Sequence, residues 1–536
     1  MIERIIRLPY NYKKKAGKLL LKKEERYEKE NGKQNADDWT CFSYDGRNVC
    51  RLGNSAPAAA TDNASADTET LAETSETAAV QETAKTDNGE VPTLIWWTVG
   101  GTPADDFDQA ISEISDYAEE KIGVRIDVKI AGWADYDTKM NNIVNTGEYF
   151  DLMFVNNTNY SKFVNLNALE NITDLVQSET PDLYGFIPQE LWDGVKIHNN
   201  VYAVPTYKDS SMTQFWMLDD TYVQKYNIDV EGIKDFATLN DALQTIKEGE
   251  GKSVYPMKLA QGSTFNGFFN GYDDLAGGVS AIGVWYEDEE RKVVSLLEQD
   301  DVKEKLNWLH KWYQDGIINP DANVVTDGGK QSIFGSAQGW PAAATTWAFN
   351  NGIDKYDLTQ VFGPMYATGT IQGSMNAISA NSKYKAEALK VLELMNTDSK
   401  FRDMCAYGTE GNYMKYSEDG TVQKLRDDWN WPSYTQGTFF ILSTQTDGDP
   451  DAWEQVKKQN ETAVSSTCLG FALDITDIQN EVANCNMVWD KYKNDMLTGA
   501  SDPETAVPAC IEELKAAGLD KVIEEAQRQI DEFFAK

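Results

Sequence analysis

The chain contains 536 residues and has a formal net charge of −37, with 86 acidic against 49 basic side chains. At about 150 residues per domain, this length predicts two or three globular units rather than a single core. The negative charge disfavours nucleic acid and anionic membrane surfaces as partners and favours a neutral or cationic solute. His198 and His310 are the only histidines, and neither has metal-site spacing or lies beside a nucleophile motif. We therefore predict neither a metal nor another cofactor.

The first 91 residues carry no pattern of a folded domain. From Met1 to Lys33 the chain is basic and lacks the apolar stretch of a secretory signal. Residues 54–91 are rich in Ala, Thr, Glu and Asp and nearly free of bulky apolar side chains. Such a segment cannot bury enough surface to fold, so we predict a disordered acidic tether.

Residues 1–53 have two interpretations: a genuine basic arm, or an aberrant segment in which a frameshift has replaced a lipoprotein signal. In a frame shifted by one nucleotide, Lys23–Glu25 can encode a ribosome-binding site and residues 35–49 an apolar run. Restoring one nucleotide turns Arg51–Gly53 into Gly-Cys-Gly, the motif of a lipid-modified cysteine. We favour the frameshift because the start, the apolar run and the cysteine fall into one register.

From Pro92 onward, strand and helix patterns alternate as a parallel α/β layer requires. The predicted order is βαβαβ, with these elements: Thr93–Val99, Asp105–Ile122, Val124–Ile130, Tyr136–Val144 and Asp151–Val155. Ligands of open parallel sheets bind beyond the carboxyl ends of the strands. The loops at Gly100–Gly101, Gly132–Trp133 and Asn156–Asn157 are therefore expected to face one cleft. The paired glycines lack a phosphate-loop context, so we do not predict nucleotide binding.

A second lobe is predicted after Tyr202–Tyr207, where an extended segment interrupted by Pro205 resumes as a strand. An amphipathic helix follows at Asp301–Gly316. The Gly- and Thr-rich segment Gly363–Gly373 is suited to a return hinge.

Met375–Tyr413 carries the most distinctive pattern of the chain. A strand precedes a helix whose buried face contains Ala388, Val391, Leu392 and Met395, and Tyr-Gly-Thr-Glu-Gly-Asn-Tyr closes the segment. This order resembles the extracellular solute-binding proteins (family 1 type) of bacterial ABC importers for carbohydrates. The resemblance extends roughly from Pro92 to the C-terminus.

The resemblance implies a two-lobed α/β fold of the periplasmic-binding-protein type II, with a hinge and added C-terminal helices. It also implies a monomer at the extracellular face of the membrane, held there by a lipid anchor only, that passes its solute to the transmembrane subunits of a permease. We expect residues 92–207 plus about 368–404 in the first lobe and about 208–367 plus 405–470 in the second. Residues 471–536 are expected to form a C-terminal helical module, because Phe471–Cys485 is similar to such an extension in the lipoprotein subgroup.

Carbohydrate recognition combines aromatic rings, which stack on sugar C–H faces, with amides and carboxylates that bond hydroxyls. Phe334–Trp347 is similar to a block of the family in which a strand after a glycine turn presents an aromatic ring to the sugar. Here that residue is Trp340. Pro341 departs from the short apolar strand that the family usually has at this point. Glu410 is either a ligand-binding carboxylate or a residue that braces the hinge loop. The predicted ligand-binding residues are Trp97, Trp133, Tyr136, Asn156, Asn157, Tyr160, Tyr207, Asp209, Trp340, Glu410 and Tyr413.

Two questions stay open at this level. A secreted glycoside-active enzyme with an Asp/Glu pair would use the same residue types, although no motif separates an acid from a nucleophile. We therefore favour a non-catalytic receptor for an oligosaccharide or related solute.

The spacing of the six cysteines indicates no disulfide framework: Cys41, Cys50, Cys405, Cys468, Cys485 and Cys510. The last four are either buried free thiols, which we favour, or form one or two isolated disulfides.

Overall fold

A computed structural model describes residues 91–262, 269, 271–326 and 333–535 of the chain. The predictions for the N-terminal basic segment and for the tether fall outside these residues, as do Cys41 and Cys50. The strands are β1 Thr93–Gly100, β2 Arg125–Gly132, β3 Leu152–Val155, β4 Lys196–Ile197, β5 Asn200–Val201, β6 Ala203–Pro205, β7 Met212–Asp219, β8 Tyr272–Asp273, β9 Ile282–Trp285, β10 Val294–Ser295, β11 Phe334–Gln338, β12 Tyr356–Tyr366, β13 Met375–Ile378, β14 Met414–Tyr416, β15 Val422–Lys424 and β16 Val464–Ser465.

The α-helices alternate with these strands in the first half of the chain and dominate its C-terminal end. They are α1 Phe107–Ile122, α2 Trp133–Thr146, α3 Tyr160–Asn165, α4 Thr173–Glu179, α5 Pro181–Phe186, α6 Gln189–Gly194, α7 Asp220–Tyr226, α8 Phe236–Glu250, α9 Asp300–Gln314, α10 Ala344–Asn351, α11 Thr368–Ile371, α12 Lys385–Thr397, α13 Ser399–Tyr407, α14 Ala452–Thr462, α15 Gln479–Leu497, α16 Pro503–Ala517 and α17 Leu519–Phe534.

The first lobe is built on a five-stranded sheet in the order β2-β1-β3-β13-β6. Its first three strands are parallel, and β13 runs antiparallel to β3 and β6. Leu94, Trp96 and Leu152 are fully buried in the core beneath this sheet because their strands are apolar on the covered face. The βαβαβ order predicted from the sequence is therefore present.

The second lobe contains a four-stranded sheet in the order β11-β7-β12-β16 and a small β10-β9-β8 sheet. Its core joins Trp216 and Phe334 of the large sheet to α8 and α9. The C-terminal helices belong to this same core through buried residues such as Cys485, Leu514 and Ile530. Residues 471–535 thus extend the second lobe.

Three segments connect the lobes: residues 206–211, 367–374 and 443–451, called here the first, second and third connections. The first runs from β6 to β7 and the second from β12 to β13, each between the two large sheets. The third leads to α14, which packs near β12. A two-lobed chain joined in this way has a hinge at these connections.

The expected assignment of residues 405–470 to the second lobe requires a correction. Cys405 and Trp431 are buried in the first core, and Phe440 packs against it. The chain therefore leaves the first lobe only after Leu442, which lies in a small cluster with Tyr407 and Phe439. The boundary is late because the segment after α13 folds back over the first sheet.

All four cysteines in the described ranges are buried free thiols. Burial raises the pKa of Cys468 and of Cys510 to about 12, so these thiols are protonated and unreactive at neutral pH. The described residues contain no group of three or more His, Cys, Asp or Glu that could hold a metal ion. None of their helices is both long and apolar enough to cross a bilayer.

Asp273 of β8 is a buried carboxyl group in the second lobe. Its Oδ1 accepts a hydrogen bond from Leu275 N at 2.9 Å, and the nearby hydroxyl of Ser466 partly offsets the effect of burial on the carboxyl group. Burial, with a smaller contribution from the charge of Asp274, raises the pKa of Asp273 to about 6. The folded chain therefore holds this proton more tightly than the unfolded chain does.

The substitution Asp273→Asn is expected to remove a pH-dependent loss of stability. Ionising Asp273 penalises the folded state, so its contribution to stability is lost as pH rises from about 4, the ordinary pKa, through about 6. Urea unfolding at several pH values should show the variant gaining about 2–3 kcal/mol over wild type between pH 4 and pH 8. The exposed Asp447→Asn should show no such gain, and a pH-independent difference for Asp273→Asn would contradict the assignment.

Candidate functional site

Trp133 begins α2 directly after β2, at the carboxyl edge of the first sheet. Its side chain is 44% exposed, unusually high for a tryptophan. The ring lies nearly parallel to that of Tyr434, with centroids 6.4 Å apart and an interplanar angle of 15°. The edge of Trp133 meets Phe154 at the end of β3. Trp133 and Tyr434, called here the aromatic platform, thus present a broad ring surface at the carboxyl edge of the first sheet, where a ligand is expected to bind.

Tyr434 belongs to residues 430–440, called here the site segment, which runs beside the connections. Ser374 Oγ lies 2.6 Å from Tyr434 O and 3.0 Å from Thr206 Oγ1. Further along, Phe439 N donates to Tyr207 O at 3.3 Å. Because Thr206 and Tyr207 lie in the first connection and Ser374 in the second, the platform lies next to the hinge.

Arg402 holds the site segment in place from within the first lobe. The guanidinium is fully buried and donates to Thr438 O and Gln436 Oε1, each at 2.7 Å, and to Ser433 O at 2.9 Å and Gly437 O at 3.2 Å. Burial lowers the pKa of Arg402 to about 10, so the group stays charged at neutral pH. A charged guanidinium group that donates to four oxygen atoms is expected to fix this segment in one conformation.

Asn376 and Asn396 add further hydrogen bonds to the same segment. Asn376 Nδ2 donates to Thr435 O at 3.0 Å and Gln436 O at 3.1 Å, and Asn396 Oδ1 accepts from Thr438 N at 2.9 Å. Tyr434 is therefore presented by a backbone that buried side chains hold on both sides.

The paired glycines at the end of β1, Gly100 and Gly101, allow a close backbone approach. A side chain at Gly100 would lie 2.3 Å from Asn430 O, and Gly101 N donates to that same oxygen at 3.1 Å. Asn430 Nδ2 donates in return to Thr102 O at 2.5 Å. The glycines thus join the β1–α1 loop to the site segment.

Asp106 fastens the far end of the β1–α1 loop. Its carboxylate accepts from Arg426 Nη1 at 2.6 Å, from Tyr413 Oη at 2.5 Å and from Asn412 Nδ2 at 2.9 Å. The hydrogen bond from Arg426 is the main reason why the pKa of Asp106 lies well below its usual range. Tyr413 is fully buried under the ring of Trp429, so it braces this loop and does not face a ligand.

The second lobe brings Trp340 to the same region. The loop after β11 places its ring 6.1 Å from Trp453, and Trp453 lies 4.8 Å from Phe439 of the site segment. In the first connection, Tyr207 packs against Phe440 at 4.5 Å, and Lys208 forms a 2.7 Å ion pair with Asp209. Aromatic side chains of both lobes therefore converge on the site segment.

The structure does not bring all predicted site residues together. Trp133, Tyr207, Asp209 and Trp340 lie at or beside the site segment. Asn156 and Asn157 follow β3 at the same sheet edge, where Asn156 Oδ1 accepts from Thr158 N at 3.0 Å and Asn157 is exposed.

Two predicted tyrosines are core residues. Tyr136 is buried and donates to Phe154 O at 2.7 Å, and Tyr160 is buried and donates to Val195 O at 2.7 Å. Each side chain packs into the core of the first lobe instead of facing the strand edge, so the structure does not bring these two tyrosines to the platform.

Trp97 and Glu410 have other surroundings than the rings of the platform. The ring of Trp97 lies 5.0 Å from Lys139 Nζ and lines a pocket of about 340 Å³ with Phe107 and Val128. Glu410 is exposed in the turn before β14.

Sequence reasoning missed Tyr434, Asn430 and Trp453. The available signal was an unusual density of aromatic side chains within one loop: Trp429, Trp431, Tyr434, Phe439 and Phe440. That density gave no indication of which lobe the loop joins.

The polar chemistry at the platform is mostly neutral. Amides, hydroxyls and backbone carbonyls surround it, and Asp209, the carboxylate placed in the first connection, is tied to Lys208. A retaining or inverting glycosidase needs two carboxylates flanking one bond. The residues that converge on the site segment supply rings and hydrogen bonds, and two further carboxylates lie near Tyr207: burial, with smaller contributions from the charges of Glu461 and Glu190, raises the pKa of Tyr207.

Comparison with known proteins gives two family matches. A family described as bacterial extracellular solute-binding protein matches residues 113–426, and a domain of unknown function matches residues 467–535. A carbohydrate ABC transporter substrate-binding protein of Streptococcus pneumoniae is 28% identical over 463 residues, which cover 83% of this chain and 92% of that protein.

Among solved structures, the N-glycan transport solute-binding protein of Streptococcus pneumoniae is similar, with a TM-score of 0.75 and 26% identity over 83% of this chain and 99% of that one. The same protein in complex with Man1GlcNAc gives a TM-score of 0.65 at 25% identity over 83% and 100%. Its complex with Man5GlcNAc gives 0.63 at 26% identity over 82% and 98%.

Proposed function

Because the chain belongs to the bacterial extracellular solute-binding proteins, we propose that it captures a neutral oligosaccharide between its lobes and delivers it to an ABC permease. The predicted family and the two-lobed α/β fold are both confirmed. The observation that carries the proposal is the aromatic platform beside the hinge, where Trp133 and Tyr434 offer stacked, partly exposed rings.

The chemistry of the platform is suited to sugars. A ring face covers the apolar C–H face of a pyranose, while amides and backbone carbonyls bond its hydroxyls. A net charge of −37 disfavours uronic or sialylated sugars through long-range repulsion. The solute class that fits best is a neutral oligosaccharide.

Mannose-containing N-glycan fragments are the first members of this class to examine. The similar Streptococcus pneumoniae protein is described in complex with Man1GlcNAc and with Man5GlcNAc. At about one-quarter identity, a shared fold supports a shared ligand class but not a particular sugar.

Capture requires the lobes to close around the solute. The first and second connections bond the site segment beside the platform, so we expect a hinge motion there to bring Trp340 of the second lobe toward Trp133 of the first. The sugar selects the closed arrangement through contacts on both lobes.

The cellular setting follows from the family, whose members are extracellular. We propose that the chain lies at the outer face of the membrane as a monomer held by a lipid anchor. Its macromolecular partners are the transmembrane subunits of the permease.

The test is calorimetric titration of the full-length chain with Man1GlcNAc, Man5GlcNAc, unrelated neutral oligosaccharides and a sialylated sugar. We expect saturable binding of at least one neutral sugar and recovery of intact ligand by mass spectrometry after prolonged incubation. Shorter products would instead establish a glycoside-active enzyme. Absence of binding across the whole panel would overturn the oligosaccharide proposal.

A further inference from the structure

Residues 467–471, called here the bridging segment, contact both lobes. They open the stretch 467–535 that matches a domain of unknown function. Leu469 packs against the core of the first lobe, whereas Cys468 and Phe471 belong to the core of the second. The bridging segment therefore joins the lobes at a further place, besides the three connections.

Gly470 brings the bridging segment against the hinge. Its N donates to Oγ1 of Thr368, a fully buried residue of α11 in the second connection, at 2.9 Å. A Cβ at Gly470 would lie 3.2 Å from Asp193 O of α6 in the first lobe, and the φ of +89° lies in the left-handed region that favours glycine. Gln372 Nε2 of the second connection also donates to Gly194 O of α6 at 2.9 Å. The bridging segment, α6 and α11 thus pack together.

The C-terminal helix α17 holds the bridging segment from the side of the second lobe. Arg291, in the turn between β9 and β10, donates from Nε to Thr467 O at 2.7 Å, and its Cζ lies 4.0 Å from the ring centroid of Phe534. At the other end of the segment, the rings of Phe471 and Phe533 meet edge to face, with centroids 5.7 Å apart. Both ends of the bridging segment are therefore fixed through side chains of α17.

We propose that the C-terminal helices brace the hinge: through the bridging segment they restrict the two lobes of the sugar-free chain to a narrow range of arrangements. Hinge motion takes place in a few connecting residues that absorb large changes in φ and ψ. Contacts from a further segment, made to both lobes at the hinge, leave those residues fewer conformations. The apparent affinity for a solute falls with the fraction of the chain that is competent to bind it, so a brace that excludes unproductive arrangements favours capture.

Leu469→Ala tests the proposal, because it removes a contact of the bridging segment with the first lobe and leaves the second core intact. Spin labels at Thr138→Cys in α2 and Glu248→Cys in α8, both exposed, report the distance between the lobes of the full-length chain. Cys41→Ser and Cys50→Ser leave the four buried thiols, which do not react with the label. In the absence of sugar, double electron-electron resonance should give a broader distance distribution for Leu469→Ala than for the otherwise wild-type chain.

Thr368→Val is a second test, because valine keeps the shape of threonine and removes the hydroxyl that accepts from Gly470 N. We expect this variant to broaden the distance distribution as well. The matched control is Thr498→Val, since Thr498 is also buried and its hydroxyl donates to Asn494 O at 2.6 Å within the C-terminal helices. The control should lower the Tm and leave the distribution at its wild-type width.

The effect of the brace on capture rests on the proposed function. In calorimetric titration with Man5GlcNAc, Leu469→Ala and Thr368→Val should bind about fivefold more weakly than wild type, and Thr498→Val should bind as wild type does. Adding Man5GlcNAc should narrow the distance distributions of the two hinge variants, because contacts of the sugar with both lobes replace the lost restraint.

The outcomes separate the two proposals. Wild-type widths in both Leu469→Ala and Thr368→Val would overturn the brace, since a purely structural role predicts a lower Tm alone. Broader distributions with unchanged affinity for Man5GlcNAc would overturn its effect on capture. If wild type binds no sugar of the panel, the oligosaccharide function falls, and the distance distributions still decide whether the C-terminal helices brace the hinge.

Discussion

Trp133→Ala is expected to weaken oligosaccharide binding by about 10- to 100-fold and to lower the Tm of the sugar-free chain only modestly, through the loss of its contacts with Tyr434 and Phe154. The ring is 44% exposed and contributes one of the two surfaces of the aromatic platform, so the variant loses contact with the solute. Fully burying a large apolar side chain is worth about 1.5–3 kcal/mol, which gives the expected range. Calorimetric titration with the sugar that wild type binds measures the effect.

Trp285→Ala is the matched control for this experiment. Trp285 is 40% exposed and also lies at a strand end, but it belongs to the small sheet of the second lobe, where it packs on Tyr272. Its removal deletes the same indole with a similar exposure and should leave sugar affinity unchanged. Equal losses in both variants, or unchanged affinity in Trp133→Ala, would show that the platform is not the binding surface.

Arg402→Ala is expected to lower the free energy of unfolding by about 3–5 kcal/mol, the largest effect on stability among these substitutions. The guanidinium is fully buried, and its removal leaves the oxygens of Thr438, Gln436, Ser433 and Gly437 without these donors. It also leaves a cavity behind the site segment. Urea unfolding followed by far-UV circular dichroism measures the loss.

Sugar binding of Arg402→Ala should also fall at temperatures where the variant is still folded, because Tyr434 is then presented by a loosened backbone. Arg402→Lys keeps the charge but cannot reach four oxygen atoms, so it should fall between alanine and wild type. Arg528→Ala removes an exposed arginine paired with Glu525 and should change stability by less than about 0.5 kcal/mol. A comparable loss in Arg528→Ala and Arg402→Ala would contradict the role given to the buried guanidinium.

Local patterns in the sequence identified the first lobe well. The apolar run at Thr93–Val99 and the amphipathic stretch before Ile122 correspond to β1 and α1, because periodicity reports which face of an element is buried. The position of Trp133 at the carboxyl edge was also predicted correctly, since a residue directly after a parallel strand lies there; its contact with a solute stays a prediction. Tyr136 was predicted to face the same edge, but its side chain is buried, because it lies further into the same helix, where the side chain turns toward the core.

The sequence by itself thus determined the family, the α/β architecture and one half of the aromatic platform. Only the tertiary structure decided that residues 405–442 return to the first lobe and that Tyr434 stacks on Trp133. The physical reason is that strand ends and helix faces are set by near neighbours in the chain, whereas the platform depends on contacts between distant segments. Those contacts are fixed by Arg402 and Asn376, whose hydrogen bonds to a remote loop leave no periodic trace in the sequence.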